Sequence, residues 1–175
     1  MIEIISQSPE ETKKLGEILA REILASGHQP KKARVIGLEG ELGSGKTVFI
    51  QGLAKGLGIK DRIISPTFVI MKKYKINASG CRLQVSRFYH IDCYRIYRAK
   101  ELLDLGFKEL LSQPKNIIAI EWAERVKRIL AQNTLWLKFE HLEGKKRRVI
   151  IKSKCQNPNY SKSSSKPKTQ NPKII

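Results

Sequence analysis

The sequence predicts an α/β fold, a sheet flanked by helices, and three stretches carry the prediction. Residues 33–39 form an apolar strand that runs straight into a glycine-rich loop and then an amphipathic helix. Residues 117–120 are an apolar run, Ile-Ile-Ala-Ile, too short for a lone helix and suited to a central strand. Leu135, Leu137 and Phe139 alternate along one face of a strand, and Glu143-Gly144-Lys145 turns the chain into a return strand over 147–152. A chain of 175 residues allows one domain. We place it at 1–152, ending in the C-terminal hairpin, with a disordered basic tail over 153–175.

Each remaining element has its own signal. Residues 2–5 are a short β-rich run. Ser8 can cap a helix, Pro9 suits its first position, and Glu11 completes a capping box. Leu15, Ile18, Leu19 and Ile23 follow with helical spacing, and Gly27 marks a stop. The helix after the glycine-rich loop runs through Phe49, Ile50, Leu53 and Leu57 to Gly58. Ser65-Pro66 breaks the chain. Residues 67–76 and 81–91 read as two strands joined by the turn Asn77-Ala78-Ser79-Gly80. A helix-prone region spans 101–111, and 123–131 fit a short helix. Beyond 152, Ser, Lys, Asn and Pro dominate, the composition of a segment without a core.

Charge is the outlier. Lys plus Arg number 34 and Asp plus Glu 16, a net +18. Ten Lys or Arg and no acid lie between 144 and 175, so that end carries +10 and residues 1–143 the other +8. Hydrophobic residues make up 41%, enough for a core without disulfide staples. Cys81, Cys93 and Cys155 are odd in number and widely spaced, which argues against a disulfide framework and for a reducing compartment. No apolar run approaches a membrane span, and the start lacks the basic and apolar regions of a signal peptide. A cytoplasmic protein is the expectation.

The glycine-rich loop reads Gly40-Glu41-Leu42-Gly43-Ser44-Gly45-Lys46-Thr47, the GxxxxGK[ST] pattern of a P-loop. Its small residues let backbone N–H groups turn inward around a phosphate. Lys46 supplies charge to the β- and γ-phosphates, Thr47 a hydroxyl for Mg2+, and the following helix its positive N-terminus. Such a site needs a second acidic group for the metal or the attacking water. Glu121, at the carboxyl end of the 117–120 strand, is one candidate. Asp92, just past another strand, is the second, with a turn or helix cap as its ordinary alternative. His90 fits a general base, a phosphate contact or a packed edge residue. Arg95 fits a phosphate contact or an ordinary salt bridge, and Trp122 fits packing. Ser65-Pro66-Thr67-Phe68 occupies the position where phosphate-switching ATPases carry a mobile loop whose hydroxyls sense the γ-phosphate. A simple proline turn is the alternative.

Taken in order, GELGSGKT at 40–47, Ser-Pro-Thr-Phe at 65–68, His-Ile-Asp-Cys-Tyr-Arg at 90–95 and Ile-Glu-Trp at 120–122 resemble the TsaE (YjeE) family over roughly residues 1–151. These are small bacterial ATPases needed for threonylcarbamoyladenosine modification of tRNA. The resemblance implies a P-loop sheet of mixed, mostly parallel strands. It implies that Lys46 and the loop amides hold ATP phosphates and that Thr47 and Glu121 hold Mg2+. By the same resemblance Asp92 is the acid needed for hydrolysis, Ser65 and Thr67 belong to a switch-like loop, and Thr12 lies near the nucleoside. It implies as partners TsaD, which transfers the threonylcarbamoyl group, TsaB, and tRNA directly or through that complex. The chain departs from many members in having Ala123 where they have Pro after the Glu-Trp pair.

A small-molecule or nucleotide kinase is the alternative, since it shares loop and sheet; no Arg-rich lid is apparent beyond Arg95 and Arg98. No Asn-Lys-x-Asp sequence supports a GTPase. A basic RNA-binding module fits the charge but lacks an aromatic platform in the tail, where Tyr160 stands alone.

Overall fold

The computed structural model describes residues 1–27, 29–77 and 83–152. The predicted tail, Cys81, Cys155 and most of the predicted 77–80 turn lie outside the described residues. The elements are β1 (Ile2–Ser6), α1 (Pro9–Ala25), β2 (Arg34–Glu39), α2 (Lys46–Gly56), β3 (Met71–Lys75), β4 (Arg87–Asp92), α3 (Ala99–Asp104), α4 (Phe107–Ser112), β5 (Asn116–Glu121), a 3-10 helix (Ala123–Ile129), β6 (Leu135–His141) and β7 (Arg147–Lys152). No helix among the described residues is long and apolar enough to cross a membrane.

The seven strands make one sheet in the order β1-β7-β6-β2-β5-β4-β3. Its four central strands, β6, β2, β5 and β4, run parallel. The edges are antiparallel: β3 on β4, and β7 on β6 with β1 beyond it. Burial explains the difference. Every residue of β5 is buried, as an apolar strand covered on both faces must be. The parallel arrangement brings the carboxyl ends of β2, β4 and β5 to one edge of the sheet, where the candidate residues of the sequence reading lie.

Two apolar layers sandwich the sheet. One places α1 and α2 over Ile36, Leu38, Phe88, Ile117 and Leu137. The other places α3, α4 and the 3-10 helix over Val35, Ile91, Ile118 and Ile120. The α1–α2 contact is close because of glycine. A Cβ at Gly52 would overlap the Lys13 carbonyl, and one at Gly16 would overlap the Phe49 carbonyl, so the two helices meet backbone to backbone. This packing fixes the axis of α2, and therefore the aim of its N-terminus.

Local signals hold with adjustments. Ser8 caps α1 by accepting from the Glu11 N–H, while the Glu11 carboxylate reaches one residue further back, to the Gln7 N–H at 2.7 Å. α1 stops at Ala25, before Gly27, because Ser26 turns its hydroxyl onto the Ile23 carbonyl. α2 stops at Gly56, before Gly58, which has a φ of 72°. The strand expected from 67 begins at Met71, because 66–70 form a turn with the Val69 N–H on the Pro66 carbonyl. The strand expected over 81–91 begins, among the described residues, at Arg87, since Leu83 turns into the core. Gly106, with a φ of 78°, splits the 101–111 region into α3 and α4. The helix expected over 123–131 is the 3-10 helix, and it starts on a fully buried Ala123.

Candidate active site

Gly40 to Gly45 leave β2 and deliver Lys46 as the first residue of α2. Gly40 has a φ of 136°, and a Cβ there would overlap the Phe139 carbonyl, so the loop turns tightly against β6. The loop closes around its own lysine. Lys46 is 4% exposed and its Nζ donates to the Gly40 carbonyl (2.7 Å) and the Glu41 carbonyl (2.8 Å). The Trp122 ring lies 4.1 Å from the same ammonium, a cation–π contact. Burial pulls the Lys46 ammonium below the ordinary lysine range, against the charges of Glu121, Glu124 and Asp92.

Two acids flank that lysine, one from each of two adjacent parallel strands. Asp92 and Glu121 are register partners at the carboxyl ends of β4 and β5. Glu121 is buried and accepts the Thr47 hydroxyl at 2.8 and 2.9 Å. Its Oε1 also meets His90 Nε2 at 2.8 Å. A carboxylate only accepts, so this His90 nitrogen carries the proton. His90 is fully buried, and its Nδ1 has no hydrogen-bond partner among the described residues. Asp92 Oδ2 accepts the hydroxyls of Thr67 (2.6 Å) and Ser65, and its Oδ1 accepts the Tyr94 N–H at 2.9 Å. These groups open onto one cavity of about 320 Å³, lined by 42–48, Ser65, Thr67, Asp92, Tyr94, Glu121 and Trp122.

The fold thus brings together Leu42, Gly43, Ser44, Gly45, Lys46, Thr47, Ser65, Thr67, Asp92 and Glu121. Gly40 and Glu41 act from behind, through the carbonyls that hold Lys46. Thr12 does not line the cavity. It is buried, its hydroxyl is engaged with Ser6 and Ser8, and its methyl would touch a Cβ placed on Gly45. Among the described residues Arg95 meets no acid, and it does not line the cavity; its guanidinium lies over the Phe68 ring at 4.6 Å.

Two contributors, His141 and Arg147, are absent from the sequence reading, and a third, Trp122, is read there only as packing. His141 Nε2 meets the Leu42 carbonyl (3.1 Å) and Arg147 donates to the Gly43 carbonyl (3.3 Å), so the C-terminal hairpin braces the glycine-rich loop. Neither residue belongs to a local motif; β6–β7 pairing places both. Trp122 has a φ of 56°, a conformation bulky residues rarely adopt, and that turn swings its indole over Lys46. The adjacent Glu-Trp pair was its only signal. Burial also lifts the Glu124 carboxyl above the usual range, with Glu39 adding to the effect.

A family model described as threonylcarbamoyl adenosine biosynthesis protein TsaE matches residues 6–150. A tRNA threonylcarbamoyladenosine biosynthesis protein TsaE of Rickettsia conorii is 38% identical over 145 residues, covering 82% of this chain and 74% of its own. The Bacillus subtilis protein of the same name is 34% identical over 144 residues, 82% and 80% of the two chains. The crystal structure of Bacillus subtilis YdiB superposes with a TM-score of 0.66 at 28% identity, over 88% of this chain and 86% of that one.

Proposed function

The chain belongs to the TsaE family, and on that premise we propose that it is a Mg2+-dependent ATPase of the tRNA threonylcarbamoyladenosine machinery in the cytoplasm. Its role is to support turnover of a TsaD–TsaB complex rather than to transfer the group itself. The observation that carries the reading is the pairing of Asp92 and Glu121, side by side at the strand ends over the Gly40-to-Thr47 loop.

The roles follow from chemistry. The amides of the loop and Lys46 hold phosphate oxygens, with Lys46 exchanging its loop carbonyls for the anion. A hydroxyl and a carboxylate are hard oxygen donors, so Thr47 and Glu121 fit Mg2+, which binds few protein ligands and keeps several waters. No group of three or more His, Cys, Asp and Glu side chains forms a metal cage among the described residues, which matches a metal shared with phosphates. When bound, Mg2+ neutralises charge on the β- and γ-phosphoryl oxygens. Asp92 orients the attacking water and takes its proton. Ser65 and Thr67 hold Asp92 from the switch-like loop.

The test is ATP hydrolysis by the purified chain, alone and with TsaD and TsaB, with Lys46→Ala as control. Hydrolysis that rises with the partners and vanishes in the variant supports the reading. ATP binding that ignores both partners would overturn it in favour of a kinase and call for a phosphate acceptor.

A further inference from the structure

The two ends of the sheet carry opposite charge. Glu39, Asp92 and Glu121 stand at the carboxyl ends of β2, β4 and β5. At the amino ends of the same strands the chain is basic. Five segments meet there, 29–35, 72–76, 83–88, 112–117 and 130–135: the approaches to β2, β4, β5 and β6, and the end of β3. None of them contains Asp or Glu. Lys31, Lys32, Lys73, Lys75, Arg87 and Lys115 are exposed on them.

Hydrogen bonds join these segments into one surface. Gln29 Nε2 donates to the Gln84 carbonyl (3.3 Å), and the Gln84 N–H returns a bond to Gln29 Oε1 (3.1 Å). The Lys115 carbonyl accepts the N–H groups of Ser86 (3.0 Å) and Arg87 (3.4 Å). Lys75 and Arg87 are register partners on antiparallel strands, so two like charges face each other directly, an unfavourable pairing. A cavity of about 360 Å³ opens beside them, lined by Lys73, Tyr74, Lys75, Ser86 and Arg87. Among the described residues, none of the six exposed cations forms an ion pair. Glu22 in α1 and Glu109 in α4 are acids of the adjoining helices, and neither pairs with them. Asp61 acts on Tyr74, whose side chain alternates to the other face from Lys73 and Lys75. Lysine on an edge strand guards against unwanted strand pairing, which accounts for Lys73 and Lys75. It does not account for Lys31, Lys32, Arg87 and Lys115, which lie on interior strands or their approaches.

We propose that this end of the sheet binds the phosphate backbone of RNA. The choice of polyanion rests on the tRNA-modification reading above, and the surface is one that reading does not use. The cations spread over four adjacent strands, about 14 Å across, which suits an extended polyanion rather than a single phosphate group. RNA is favoured over an acidic protein because no large apolar side chain is exposed on these segments. Protein interfaces are anchored by aromatic residues and depleted in lysine. Arg87 and Asp92 stand at opposite ends of β4, about 17 Å apart along the strand, so RNA and ATP bind without competing.

The experiment measures the affinity of the full chain for unmodified tRNA over about 50–200 mM salt, without nucleotide or partner proteins. The parent is compared with Lys31→Gln/Lys32→Gln/Lys75→Gln/Arg87→Gln. A control, Lys60→Gln/Lys100→Gln/Lys108→Gln/Lys145→Gln, removes the same charge from exposed positions elsewhere. The expected result is an affinity loss of about tenfold or more at low salt, with a log–log salt slope shallower by about 3, at roughly 0.7 per lost phosphate contact. ATP affinity and the urea midpoint stay at parent values, and the control keeps most of its tRNA affinity. Parent-like tRNA affinity and slope in the first variant overturn the inference. An equal loss in the control overturns it in favour of net charge alone. A loss of affinity for TsaD–TsaB with tRNA binding unchanged overturns it in favour of a protein surface. A parent chain without tRNA affinity overturns it and leaves the functional reading to the hydrolysis test above. Should hydrolysis fail that test while tRNA binding behaves as expected, the functional reading falls and the RNA surface stands.

Discussion

Replacing His90 by Phe removes one donor from Glu121 while keeping a ring in a fully enclosed site. Two contributions of opposite sign decide the outcome. The lost N–H to carboxylate bond costs about 1.5–3 kcal/mol, and removing the unpartnered, buried Nδ1 returns about 1 kcal/mol. The net loss of stability is about 0.5–2 kcal/mol. His90→Ala, which also opens a cavity, should lose more than His90→Phe. Urea unfolding followed by tryptophan fluorescence measures both. Thr47 alone then positions Glu121, so the Mg2+ concentration that supports ATP binding should rise about 10–100-fold, as when outer partners of metal ligands are removed. A His90→Phe protein with parental stability and a parental Mg2+ titration would refute the idea that His90 holds Glu121 in place.

Three further outcomes are expected. Asp92→Ala should retain ATP affinity and lose hydrolysis in the presence of partners; phosphate release at the parental rate would remove Asp92 from the chemistry. Gly52→Ala should lose at least about 2 kcal/mol in a denaturant titration, because overlap with the Lys13 carbonyl outweighs the roughly 1 kcal/mol of helix propensity that alanine adds. Burial, with Asp92 and Glu124 nearby, pushes the Cys93 thiol up to about 12, so its thiolate is scarce at neutral pH. Mass spectrometry after iodoacetamide treatment at pH 8 should find Cys93 unmodified in the folded protein and modified in urea; rapid native labelling would contradict the enclosed site.

What the sequence discloses and what it withholds divide along sequence separation. The strand, loop and helix around Lys46 are legible because each signal is local: an apolar run, small residues, then 3.6-residue spacing. Asp92 and Glu121 are legible as acids at strand ends, since that position follows from the apolar stretch before each. Their adjacency is not, because it depends on β4 and β5 being parallel neighbours in one particular register. The same holds for His90 on Glu121, 31 residues apart, and for Arg147 on Gly43, 104 apart. The 66–70 turn defeats the strand expectation for another reason. Thr67 and Val69 have β-strand character, but Pro66 opens a turn and the Thr67 hydroxyl is drawn onto Asp92. The backbone-to-backbone docking of α1 on α2 is likewise invisible in helical spacing, which marks apolar faces rather than glycine contacts.

The pairing of β1 with β7 has a consequence in time rather than in space. Ile2 finds Ile151 as its register partner, so the strand made early waits for one made about 150 residues later. At a synthesis rate of roughly 5–20 residues per second, that wait lasts about 7–30 s. β7 lies between β1 and the rest of the sheet, so the edge that braces the glycine-rich loop is completed last. On the ribosome, the loop should gain its full support only as the hairpin emerges. A nascent chain halted before β7 would carry the GxxxxGK[ST] sequence without the Arg147 contact that steadies it.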